Sequence, residues 1–212
     1  MRLWKITHRE QFERAVQALA YRCEPREIPR AVGAQYIGGL ANWERIRKHK
    51  CSYLASGGTD WNAEFRRYTQ NKENYTDSLI LLSTGYYSGL SPEEVVLPPE
   101  IWKEASGEIR KYHELTHFIY RKCYPGDIQV IRDEVLADCV GLCAAFDRYD
   151  ASLARKLLGL DNGTPRPDAR LRHYVPEDAL PQAMNEAALW INGLEKLLSR
   201  VPDLSKRQRE SL

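Results

Sequence analysis

The sequence predicts an α+β fold, mostly helical with a small β-sheet. Three observations carry this expectation. Apolar residues recur at helical spacing in several long segments. One short apolar run, residues 79–82, is uninterrupted and closed by Gly85, as a buried strand is. Proline and glycine clusters separate these segments as turns do.

The elements follow in order. Residues 8–22 carry Phe12, Ala15, Val16, Leu19 and Ala20 at helical spacing. Residues 42–51 predict a second helix, whose basic face of Arg45, Arg47, Lys48 and Lys50 reads as solvated surface. Residues 78–84 predict a buried strand. Pro98 and Pro99 open a long helix that continues to about Lys122. Tyr124, Pro125, Gly126 and Asp127 stop it. The next helix covers about residues 129–149; Val135, Leu136, Val140 and Leu142 surround it, so it reads as buried. Residues 161–167 form a Gly/Pro loop. A final helix spans about residues 176–200, with a possible break at Pro181. The length of 212 residues and the 43% hydrophobic content suit one packed domain. Its expected bounds are 1–204, with the chemistry centred on 78–150 and a polar tail at 205–212.

The net charge of +2 points neither toward nor away from nucleic acid. No Gly-rich phosphate loop is present, and the five tryptophans are too scattered for a base-stacking platform. No nucleic-acid partner is therefore expected. No apolar run approaches the ~20 residues of a membrane span, so no membrane partner is expected. Five cysteines with no C-x-x-C pair read as reduced thiols, and the N-terminus shows no secretory signal. Both fit a cytoplasmic protein.

Residues 113–117 read His-Glu-Leu-Thr-His. On a helix His113 and His117 are only ~40° apart, so both imidazoles can reach one metal ion. Glu114 is turned away by ~100°, beside the ion, where it could accept a proton from water and return it to a leaving group. A third ligand must come from another element. Glu134 lies beyond the turn at Pro125 and Gly126, on a helix that can fold back. Asp138, one turn later on the same face, could accept the other N–H of a ligating histidine. Cys139 and Cys143 lie ~140° and ~180° from Glu134 and read as core thiols.

These residues, with Glu134-Val135-Leu136-Ala137-Asp138, resemble the gluzincin group of zinc metallopeptidases. The resemblance covers at most residues 98–150. It implies a zincin-like fold with the sheet packed on the active-site helix. It also implies Zn2+ held by His113, His117 and Glu134, with Glu114 as general base and Asp138 behind a ligand. The segment is equally similar to uncharacterised bacterial proteins with H-E-x-T-H followed by D-E-x-x-A-D, a likeness that carries no activity. No third histidine of metzincin type follows, and the connection over 118–133 is short for gluzincins.

Two further expectations follow from the resemblance. Zincins pair extended substrates with an edge strand above the active-site helix; residues 79–84, ending in Gly85, Tyr86, Tyr87 and Ser88, are either that strand or an ordinary core strand. Gly107, two turns before His113, either admits a close strand or is merely tolerated. Gluzincins also stabilise an oxyanion with a downstream His, Tyr or Arg. Arg172, His173 and Tyr174 offer all three, and His173 and Tyr174 are the candidates; packing roles are the alternative. The expected function is a zinc metallopeptidase acting on a peptide or protein. The alternatives are a zinc hydrolase of another amide and a non-catalytic binding protein that would use a surface such as Tyr86 and Tyr87.

Overall fold

A computed structural model describes residues 2–30, 32–160, 165–167 and 169–200. The expected tail at 205–212 and residues 161–164 of the expected loop lie outside the described residues. Among those described, the fold is α+β, mostly helical, with one three-stranded sheet.

The elements are β1 (Arg2–Ile6), α1 (Arg9–Ala20), β2 (Ala34–Ala41), α2 (Trp43–Ala55), α3 (Trp61–Thr69), β3 (Thr76–Ser83), α4 (Pro92–Val95), α5 (Pro99–Cys123), α6 (Val130–Phe146), α7 (Ala151–Leu158) and α8 (Leu180–Leu198). Local chemistry sets many of the ends. Asn42, Asp60 and Asp150 each accept a backbone N–H from three residues on, at the starts of α2, α3 and α7. Ser91 and Glu94 form a reciprocal capping box on α4. Pro99 opens α5, and Gly126, at φ +91°, makes the turn into α6. Pro181 sits in the first turn of α8, where a proline needs no N–H partner, so it breaks nothing.

The strand order is β1-β3-β2, with β1 parallel and β2 antiparallel to β3. The run at 79–82 is therefore the central strand, which decides between its two readings in favour of an ordinary core strand. It is uniformly apolar because both of its faces are covered. Leu79 and Leu81 join Phe12, Val16, Ile28 and Ile37 in a cluster beneath α1. Ile80 and Leu82 are also buried, and α5 packs on β2 and β3. The edge positions belong to β1 and β2, and β2, which the apolar pattern does not reveal, is the one that borders the cleft. Gly38 and Gly39 lie in a register shift between Ile37 and Leu40 that interrupts its alternation.

A second, larger cluster joins α5 to α8 around Trp102, Ile109, Val135, Leu142, Leu158 and Ile191. Gly141 lets α6 lie against α5: a β-carbon there would stand 2.8 Å from the Ile109 carbonyl oxygen. Gly107, in contrast, has open space around it and is merely tolerated in the helix. No described helix is long and apolar enough to cross a membrane.

Candidate metal centre

Helix α5 supplies His113, Glu114 and His117, and α6, folded back against it, supplies Glu134 and Asp138. The Nε2 atoms of His113 and His117 are 3.1 Å apart. Glu134 places Oε2 3.3 Å from His113 Nε2 and Oε1 3.2 Å from His117 Nε2. Ligands held about 2.0–2.1 Å from a tetrahedral zinc ion stand about 3.3 Å from one another. The histidine pair is close to that value, and a different Glu134 oxygen comes close to it for each histidine; with one donor atom taken from each residue, the three lie within 4.8 Å of one another.

The donor set also fits a cation chemically. Two imidazole nitrogens face each other, and Glu134 Oε2 is buried without a hydrogen-bond partner. Burial alone would lower the pKa of His113. The Asp138 and Glu134 carboxylates prevail and raise it to about 10. Glu134 is held well below the usual carboxylate range: burial works against this, and the two histidines outweigh it. Without a metal the cluster would take up protons, as a site built for positive charge does.

Asp138 fixes the orientation of His113. Its Oδ1 lies 2.9 Å from His113 Nδ1 and accepts the Tyr87 hydroxyl at 2.6 Å. Tyr87 Oη is itself 3.0 Å from the same Nδ1. A proton on Nδ1 satisfies this arrangement and leaves the Nε2 lone pair free for a metal. The other Asp138 oxygen accepts Arg170 Nη2, while Arg170 Nη1 donates to Ser88 Oγ at 3.1 Å. Ser88 takes a left-handed backbone, φ +54°. The Tyr87 backbone N–H donates to Ser106 Oγ of α5 at 2.9 Å, which pins the turn after β3 to the ligand helix. Tyr87 is thus buried beneath the centre, where it also borders the cavity over the cluster. Tyr86 remains exposed.

A cavity of about 320 Å³ opens over this cluster. Its walls are residues 32–36, which enter and begin β2, and the α5 face that carries Arg110, His113, Glu114, His117 and Arg121. Glu134, Arg170, His173 and Tyr174 close it. Glu114 faces this space and makes no hydrogen bond among the described residues. Of the downstream candidates, His173 is exposed and Tyr174 partly buried, and both border the cavity. The Tyr174 hydroxyl is held well above the usual phenol pKa by burial, with Arg170 opposing and Glu134 reinforcing. Arg172 instead pairs with Glu177 outside it. Cys139 is buried and Cys143 half-buried, side by side on α6, and neither joins the ligand cluster.

The sequence reading gave Tyr87 other roles and missed Arg170 and Arg110. None lies at a ligand spacing. A buried Asp138 does call for a cation partner, but nothing in the chain says which of its many arginines answers.

The chain belongs to the family of unknown function DUF7005, which it matches over residues 3–201. No curated protein and no solved structure matches it.

Proposed function

We propose that this chain is a zincin-type zinc hydrolase that cleaves peptide amides. The convergence of His113, His117 and Glu134, with one donor atom from each within 4.8 Å of the others, carries this reading. Zinc, when bound, would polarise the scissile carbonyl and make water acidic enough to react near neutral pH. Glu114, without a hydrogen-bond partner among the described residues and beside the proposed ligands, would accept the proton of the attacking water and deliver it to the leaving nitrogen. The water hydroxyl ends on the acyl carbon, the proton on the amine, and the C–N bond is broken. Tyr174 and His173 border the space where the oxyanion develops and would donate to it. The sheet edge at β2 borders the same cleft and would pair with an extended substrate, as the edge strand does in zincins.

The test has two parts. Elemental analysis of the purified protein should find about one zinc per chain, lost in His117→Ala. Glu114→Gln should keep the metal and lose on the order of 10²–10⁴ in turnover of a peptide library. Full turnover in Glu114→Gln would remove the catalytic reading, and absence of metal after zinc is supplied would remove the hydrolase reading altogether.

A further inference from the structure

Arg110 stands one helical turn before His113 and Glu114 on the cleft face of α5 and walls one end of the cavity. It is 3% exposed. Its Nη1 donates to the Ser83 carbonyl at 3.1 Å and its Nη2 to the Gly85 carbonyl at 2.8 Å. Both acceptors are neutral, and no carboxylate pairs with it among the described residues. A guanidinium has five N–H donors, so three remain uncommitted.

Buried charges are ordinarily paired. The other buried arginines here obey that rule: Arg132 lies on Asp127 and Asp133, and Arg170 on Asp138. Arg110 is the exception among the described residues. Burial pulls its pKa down to about 10, and the nearby Glu114 offsets this only in part. The chain also makes room for this group. Gly33 flanks it, and a β-carbon there would stand 2.7 Å from Nη2.

We propose that Arg110 receives the C-terminal carboxylate of the substrate. This rests on the hydrolase reading above. The planar fork of a guanidinium matches the two oxygens of a carboxylate. The Ser83 and Gly85 carbonyls back the guanidinium and Gly33 flanks it, so a chain that reaches Arg110 ends there. Along the helix, Arg110 lies about 7.5 Å from the midpoint of His113 and His117, about two extended residues. The amide cleaved is then one or two residues from the chain end. The 320 Å³ cavity suits so short a segment.

The test uses two small chelating probes, succinic acid monohydroxamate and its terminal amide, titrated calorimetrically into zinc-loaded protein. The free acid should bind about tenfold more tightly than the amide. Arg110→Gln should erase that preference and keep the amide's affinity. Arg110→Lys, which keeps charge without the fork, should retain part of it. Equal binding of both probes to the wild-type protein overturns the inference and needs no variant to fold. So does a preference that survives in Arg110→Gln, or one that disappears in Arg121→Gln, at a second arginine that lines the cleft. Zinc uptake without discrimination removes only this inference. Failure to take up zinc removes the hydrolase reading and this one with it.

Discussion

Asp138 and Arg170 form an ion pair in which both side chains are all but inaccessible, and the pair sits directly behind His113. It does two things at once. Arg170 keeps Asp138 ionised, and the ionised Asp138 holds His113 in the tautomer a metal needs. Arg170→Met should therefore cost about 3–5 kcal/mol, because it strands a buried carboxylate. It should also weaken zinc binding about 10–100-fold, as loss of support behind a ligand does. Urea unfolding and a competitive chelator titration read the two effects separately.

Gly141 should be intolerant of any side chain. Gly141→Ala drives a methyl against the Ile109 backbone, which cannot step aside as a flexible side chain would. A destabilisation of about 1–3 kcal/mol is expected. Since α6 carries Glu134, the same change should lower zinc affinity. Gly107→Ala is the control: the site is open and helical, so it should stabilise by about 1 kcal/mol. Thermal unfolding of both variants, with and without zinc, checks the pair.

Metal removal should lower stability by mass action. Zinc at 100 times its dissociation constant stabilises the folded chain by about 2.7 kcal/mol. Chelation should remove that increment in the wild-type protein and change nothing in His117→Ala. Calorimetric melting with and without chelator measures it.

Acid should loosen α2 and α3 before the ligand helices. Glu64, on α3, accepts from Arg67 and faces His49 of α2, and these contacts lower its pKa from 4.5 to about 2. A carboxylate lowered by folding stabilises fully above 4.5, and that contribution is lost as pH falls toward 2. Glu64→Gln should flatten the decline of the melting temperature across this window, and unchanged profiles would count against the assignment.

The clustering of His113, His117 and Glu134 was legible because spacing on one helix fixes geometry. His113 and His117 share a face whatever the rest of the chain does, and the turn at Pro125 and Gly126 forces α6 to return. The edge strand was not legible. Residues 34–41 carry two glycines and no clean alternation, so only pairing with β3 makes them a strand. β1 is largely exposed and is held by the same partner, so its sequence shows little apolar pattern. α3 and α7 are short, and their capping aspartates, Asp60 and Asp150, were the readable signals that went unused. Tyr87 and Arg170 reach the centre through a turn and a 3-10 segment, where direction depends on tertiary contacts and not on periodicity.

The cleft lies on the seam between the two apolar clusters, one under α1 and one among α5 to α8. The reactive groups all belong to the helical side, while residues 32–36 face them from the sheet side. Substitutions at Val32, Ala34 or Gln35 can therefore reshape what the cleft admits without disturbing a single proposed ligand. The sheet side of the cleft is thus free to vary while the proposed ligands and Arg110 stay fixed on α5 and α6.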